Sequence, residues 1–403
     1  MIAIRRPTTP PRLVTLILLT GLSTLSLNMF LPALARIADD LGSDYGTMTL
    51  AVGGYLALTA VVQLVVGPLA DRFGRRPVLL AGLVVFTLAS VGCALATGAG
   101  TFLAFRATQA AVIGGYVLSL AIVRDTTEGH AVAGRLATIA SAMALAPLMG
   151  PILGGVLAAS LGWRAVFWTY AGAGAAMLAL CWIDVGETRR GRSAGGTDAP
   201  EGTDHRMGSD VAALLRAPAF VAHVACAAFS VGAFYVFLAG AALVATAAFE
   251  LSEAVLGIVI GSITMGFMGG SAAAARLSRR LASGTVMVAG RAIAVLGLSF
   301  GLEAALAGAI HPIAYFAATI CVGIGNGLTM PSANAGAMAV RPDLAATAAG
   351  IGGATTVLVG SALTTLAGAV LTEANAAPVL LALMLGASGV ALGAAVWAKR
   401  VAG

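Results

Sequence analysis

Residues 67–77 read GPLADRFGRRP, placing Asp71, Arg72, Arg75 and Arg76 with two glycines between two long apolar runs. Such a loop has two physical readings: a phosphate cradle on a soluble enzyme, or a tight aqueous turn joining two membrane spans. A phosphate loop requires GxxxxGK[ST] after a strand, and neither that pattern nor a strand-like alternation is present here. The flanking runs, about 47–69 and 78–97, are each long enough at 1.5 Å per residue to cross about 30 Å of hydrocarbon. The turn reading follows.

The rest of the chain agrees with the flanks. Of 403 residues, 59% are hydrophobic and 10% charged, and the mean hydropathy is +0.96. Soluble domains carry about 25% charged residues, so most of this chain is built for a medium other than water. A window of about 19 residues predicts twelve helical spans. The first six are 13–35, 47–69, 78–97, 102–124, 136–159 and 165–185; the second six are 218–248, 254–275, 285–306, 313–338, 345–371 and 378–398. Between the sets lies GETRRGRSAGGTDAPEGTDHRMGSD at 186–210, polar and Gly-rich in the manner of a flexible linker. The expected organisation is a six-helix bundle over 1–185, a cytoplasmic linker over 186–216 and a second six-helix bundle over 217–403. Arg5, Arg6 and Arg12 ahead of an apolar run suggest a signal peptide, but Leu13–Leu34 exceeds the roughly 7–15 apolar residues of such a core. It is expected to remain as the first span.

Charge placement sets the orientation. With the N-terminus in the cytoplasm, all of the 23 Lys and Arg fall on that side except Arg36, Arg164 and Arg106. Both termini are then cytoplasmic, and Arg106 is the one cation expected inside a span away from its cytoplasmic end. The net charge of +6 is spread over short loops and forms no patch, which excludes nucleic acid as a partner. Cys93, Cys181, Cys226 and Cys321 lie singly in apolar runs, so no disulfide framework or zinc site is indicated. His130, His205, His223 and His311 are scattered without acidic companions; no metal, cofactor or catalytic constellation is expected.

The opening turn has a second copy. DRFGRR at 71–76 aligns with ARLSRR at 275–280, with the three arginines in register and Ala275 in place of Asp71. Two six-helix halves related by a parallel repeat are a transporter architecture. At this point the chain resembles the major facilitator superfamily, and within it the drug:proton antiporters of the Bcr/CflA kind. The resemblance is carried by several segments. Gly67, Asp71, Arg72, Gly74, Arg75 and Arg76 are similar to the family's loop between spans 2 and 3. Arg106 and Gln109 in FLAFRATQAAVIGG are similar to its span 4 motif. Gly150, Pro151, Gly154 and Gly155 in APLMGPILGG are similar to its antiporter motif in span 5. NMFLPAL at 28–34 and Trp163-Arg164 also resemble those exporters.

The resemblance implies a twelve-helix, all-α integral membrane protein with two pseudo-symmetric bundles. It implies export of small amphipathic molecules, drugs among them, across the bacterial inner membrane by alternating access with protons as coupling ion. A monomer in the lipid bilayer is expected. It also implies that Asp71, Arg72, Arg75 and Arg76 form a cytoplasmic latch, where the bland reading is a turn that only holds orientation. Asp71 ends a helix, where the dipole disfavours an anion, so Arg75 or the start of span 11 must support it. Arg106 either faces a cavity, on one face with Gln109 and Tyr116, or snorkels outward. Gly150, Pro151, Gly154 and Gly155, with Pro147, allow close approach and bending, as a seal or as ordinary packing.

Asn28 stands where the related exporters usually carry Asp, and an amide cannot take up a proton. It could hydrogen-bond a substrate, Arg106 or a neighbouring helix. Tyr55, Thr59 and Gln63 on span 2, Phe234, Tyr235 and Phe237 on span 7, and Asn326, Met330 and Asn334 on span 10 are candidates for a pocket, or for core packing. The alternatives to drug export are export of a metabolite or siderophore, or, from another class, a membrane-embedded sensor or enzyme.

Overall fold

A computed structural model describes residues 11–127, 131–188, 213–308 and 311–402. Most of the linker, His130 and His205 lie outside the described residues. All twelve predicted segments are helical, and no strand occurs among the described residues. The helices are α1 (Leu13–Asn28), α2 (Leu34–Asp40), α3 (Tyr45–Met48), α4 (Leu50–Phe73), α5 (Arg75–Leu95), α6 (Ala99–Thr108), α7 (Ile113–Thr126), α8 (Ala131–Leu161) and α9 (Trp163–Asp184). They continue as α10 (Pro218–Ala247), α11 (Glu253–Leu277), α12 (Ser283–Leu306), α13 (Pro312–Ala339), α14 (Ala345–Val370) and α15 (Ala376–Ala402). Eleven helical segments of the described residues are long and apolar enough to cross a membrane, and α8 adds a shorter apolar stretch, Leu145–Leu161.

Two predicted spans are not continuous helices. The first breaks after Asn28, passes through a 3-10 turn at Leu31–Ala33 containing Pro32, and resumes as α2. Proline has no N–H to continue the ladder and its ring crowds the preceding turn, which accounts for the break. The fourth span is interrupted by a 3-10 turn at Gln109–Val112 between α6 and α7. That turn begins at the residue whose side chain is held between Arg106 and Ser90. At the opening motif, Gly74 separates α4 from α5 with φ 101°, a left-handed region open to glycine and strained for other residues.

The chain forms two compact units. One comprises the residues up to Gly191 together with Leu251–Gly261; the other comprises Arg192–Glu250 and Ser262–Gly403. Helix α11 therefore has its head in the first unit and its body in the second. The first unit is cored by aromatic rings from α6, α9 and the span 1 break. Phe102 and Phe167 stand edge-on at 5.3 Å, Trp163 and Phe167 at 5.9 Å, and Phe30 and Phe167 at 6.1 Å. In the second unit α10 packs on α13, α14 and α15 through an alanine-rich core, and α12 packs on α13 and α15. Leu64, Leu161, Ile183, Phe300 and Ile313 are exposed on these bundles, as suits surfaces solvated by acyl chains.

Lipid is as apolar as leucine, so such helices are held by close packing more than by the hydrophobic effect. The span 5 glycines supply that packing. A Cβ on Gly154 would strike the carbonyl of Met29, and one on Gly155 would strike that of Glu253. Reciprocally, a Cβ on Gly257 would strike the carbonyl of Pro151. One face of α8 thus lies backbone-to-backbone on the end of span 1, and another on the head of α11. Gly154→Ala is expected to lower the thermal unfolding temperature in detergent, at about 1–3 kcal/mol for overpacking. Gly67→Ala, which meets no atom within 4 Å, is expected to leave it unchanged. Equal melting of the two variants would refute the backbone contact.

Candidate functional site

The break in span 1 leaves a helix end inside the first unit, and a helix end carries carbonyls without intrahelical donors. Arg106 meets them. Its Nη2 donates to the Ser26 carbonyl at 2.8 Å, its Nη1 to Gln109 Oε1 at 2.8 Å and to Ser26 Oγ at 3.4 Å, and its Nε to the Ala51 carbonyl at 3.2 Å. The guanidinium lies 4.0 Å from the ring centroid of Tyr55 and 4.3 Å from that of Phe30. Desolvated cation–π contacts of this kind contribute about 2 kcal/mol or more. Gln109 Nε2 donates to Ser90 Oγ at 2.7 Å, and the Tyr55 hydroxyl to Ser26 Oγ at 3.1 Å. The Tyr170 hydroxyl brings one further donor, shared between the carbonyls of Leu25, at 2.9 Å, and Ser26, at 3.2 Å.

Arg106 is 0% exposed. It therefore does not snorkel to water, and its polar face is spent on α1, α4 and α5. Of the residues expected on its face, Gln109 joins the cluster, and so does Tyr55, expected instead in a pocket with Thr59 and Gln63. Tyr116 is half-buried beyond the 3-10 turn and is not among the guanidinium's partners. Asn28 does not bond Arg106. Its Nδ2 donates to the Thr24 carbonyl at 2.8 Å, and its Oδ1 is buried without a partner. A Cβ on Gly150 would stand 3.2 Å from the Cβ of Asn28, so this amide faces α8 at the antiporter-like segment. Gln63 is half-buried on α4, and the Thr59 hydroxyl turns back to the Leu56 carbonyl at 2.7 Å.

At the charged turn the cations find acids within the first unit. Arg75 lies 2.9 Å from Asp71 and its Nε lies 3.1 Å from Asp125, at the end of α7. Glu187, just after α9, accepts the backbone N–H of Arg75 at 2.9 Å and of Arg76 at 3.3 Å. A carboxylate on the first N–H groups of α5 meets orphan donors and the positive end of the helix dipole together. Arg76 Nη2 donates to the Trp182 carbonyl at 2.7 Å, with its guanidinium over the Trp182 ring. Arg72 lies over the ring of Phe73. Asp125 and Glu187 were not among the sequence candidates; their signal is an acid at the C-terminal end of spans 4 and 6.

In the second unit Asn326 is 5% exposed with its Oδ1 unpartnered, Met330 is half-buried and Asn334 is exposed. Tyr235 is half-buried beside Phe234, and Gly360 leaves room for its ring. Phe237 is fully buried against Phe316, a core position. One placement is corrected. By sequence position Arg291 belongs with the loop cations Arg276, Arg279 and Arg280; in the structure it lies well inside α12 and is 0% exposed. Arg106 is thus not the sole arginine buried within a span. Arg291 Nε donates to Thr329 Oγ1 at 2.9 Å, while Nη1 and Nη2 have no partner.

The profile described as Major Facilitator Superfamily matches residues 16–365. The chain belongs to the Major Facilitator Superfamily. Among solved structures, it is similar to the D-xylose–proton symporter, with TM-score 0.75 at 14% identity over 96% of this chain and 97% of that one. It is also similar to a bacterial homologue of the human lysosomal transporter Spinster, with TM-score 0.74 at 16% identity over 97% and 96%. At such identity these likenesses show the fold. Among curated proteins, it is 38% identical over 177 residues to a chloramphenicol resistance protein of Pseudomonas aeruginosa, covering 43% of this chain and 42% of the relative. It is 37% identical over 164 residues to the multidrug resistance protein MdtL of Escherichia coli O45:K1, covering 40% and 42%. The matched region spans about two-fifths of each relative's length.

The Arg106 cluster makes a stability prediction. Arg106→Lys keeps the charge but loses the planar fork that reaches four acceptors, and Gln109→Leu leaves donors and acceptors unmet on both sides at about 1–3 kcal/mol. Both variants are expected to melt below the wild type. The double variant is expected to show a coupling of at least about 0.5 kcal/mol in a mutant cycle. Additive effects would mean the two side chains do not act together.

Proposed function

We propose that this transporter exports small amphipathic molecules, drugs among them, from the bacterial cytoplasm by alternating access, as a monomer with both termini cytoplasmic and with proton entry as the driving force. One geometric observation carries the reading. Asn28 and Asn326 each hold a side-chain carbonyl oxygen that is buried and unpartnered. A buried acceptor left unmet costs about 1–3 kcal/mol. Neutral solutes with hydroxyl or amide N–H donors offset that cost, and chloramphenicol, after which one relative is named, carries both kinds of donor.

Asn28 also defines how coupling differs from a carboxylate mechanism. The amide takes no proton, so residue 28 is assigned to substrate and the proton to another group. The driving force at stake is about 2.3 kcal/mol per charge per 100 mV, equivalent to roughly a 50-fold substrate gradient. In this reading Asp71, Arg72, Arg75 and Arg76 latch the cytoplasmic side across the two halves; the pairing of Arg75 with Asp71 and Asp125, and of Glu187 with the start of α5, holds the ends of α4, α5 and α7 together within the first unit.

The test is uptake of labelled chloramphenicol into inside-out proteoliposomes with an imposed pH gradient, lumen acidic. Wild-type protein is expected to accumulate drug uphill, and dissipating the gradient to abolish the accumulation. Asn28→Leu is expected to raise KM by about tenfold, the worth of one hydrogen bond of roughly 1.4 kcal/mol. Equilibration without accumulation would remove proton coupling, and no uptake above empty vesicles would remove the drug-export reading.

A further inference from the structure

Arginine stays protonated in proteins, so the cation at Arg291 cannot be relieved by losing a proton. A charge enclosed in a low-dielectric bundle is strongly unfavourable unless something compensates it. Arg106 shows what full compensation looks like: two carbonyls, an amide oxygen and two ring faces. Arg291 has one hydroxyl, Thr329 Oγ1, which itself turns to the Met287 carbonyl at 3.3 Å. Among the described residues no carboxylate pairs with it and no ring lies over it. On its own helix the nearest acid, Glu303, is twelve residues on, about 18 Å along the axis.

The surroundings are small and apolar. Gly290 and Gly325 bring α12 and α13 together, and a Cβ on Gly325 would lie 2.8 Å from Arg291 Nη2. Cys226, Ala227 and Ala333 pack around Met287, one turn before Arg291. Four N–H bonds on the two terminal nitrogens point into this setting with nothing to receive them. A water could accept from them but would leave the charge uncompensated. An anion does both.

We propose that Arg291 is the seat of a small-anion site inside the second unit, binding one compact monovalent anion, a halide or a carboxylate-sized ion, on Nη1 and Nη2. The fork of a guanidinium suits a planar carboxylate bidentately and a halide between its two nitrogens. The proposal stands whether or not the chain exports drugs.

The test is thermal unfolding in neutral detergent at constant ionic strength. Because the site is enclosed, the protein is extracted and purified throughout in chloride, in formate or in gluconate, which is too large to fit. Chloride and formate are each expected to raise the melting temperature of the wild type by about 3 °C over gluconate, saturably with concentration. In Arg291→Gln the difference is expected to vanish. Should that variant fail to fold, Arg291→Lys keeps the charge but replaces the two-nitrogen fork by a single ammonium, and is expected to shift the half-saturating formate concentration upward at least threefold. Identical melting of the wild type in all three anions would overturn the proposal. So would an anion effect that persists in Arg291→Gln, or a formate effect that Arg291→Lys leaves untouched. A response to formate but not chloride would support it and assign the site to carboxylates.

Discussion

The first unit depends on how one helix end is satisfied away from water. Span 1 stops at Asn28 because NMFLPAL carries Pro32, and stopping there leaves helix-end carbonyls facing the interior, that of Leu25 with the Met29 N–H alone and that of Ser26 with no intrahelical donor. In a soluble protein, water would complete them; in a membrane bundle a side chain must. Arg106 and Tyr170 do so. Placing a cation at the negative end of the α1 dipole also compensates the charge, and the rings of Phe30 and Tyr55 enclose it. The result ties span 4 to spans 1 and 2, and through Gln109 and Ser90 to span 3. A residue that hydropathy alone would count as costly is what makes the broken span tolerable.

The same accounting explains the turn at 71–76. Two helices meet there with Gly74 between them, so the last carbonyls of α4 and the first N–H groups of α5 crowd one corner. Glu187 takes the N–H groups, and Arg75, drawn to Asp71 and Asp125, places positive charge beside the carbonyl end. The arginines of this turn thus close its helix ends. The topogenic and the latch readings draw on one set of contacts, because both follow from charge concentrated at a two-ended helix corner.

The fold was legible because its signals are long-range and redundant: apolar runs of spanning length, arginines confined to alternate loops, and a turn that occurs twice. Arg106 with Gln109 was legible as an i, i+3 polar pair in an apolar run. The breaks at Asn28 and Gln109 were not, since a hydropathy window averages over a 3-10 turn. Nor were Asp125 and Glu187 as partners of Arg75 and Arg76, because their proximity arises from the ends of α7 and α9 and not from sequence neighbourhood. Arg291 was misplaced for a related reason. Charge counting assigns a cation to the nearest loop, whereas α12 begins at Ser283 and carries Arg291 about two turns inward.

The two buried arginines show where this architecture keeps interaction energy in reserve. Around Arg106 the helices are separated by aromatic rings and long side chains, which fill space and supply acceptors, and the cation is saturated. Around Arg291 the helices approach through Gly290 and Gly325, and backbones that close admit few side chains able to accept a hydrogen bond. Close glycine packing gives the second unit its cohesion in lipid, and by the same geometry it leaves a cation short of acceptors. The unmet carbonyls of Asn28 and Asn326 are the converse case, acceptors short of donors. Saturated polar groups act as clamps, because nothing further is gained by bringing a ligand to them. Unsaturated ones make binding favourable, and in both units they lie beside helix contacts too close for the protein to complete them itself.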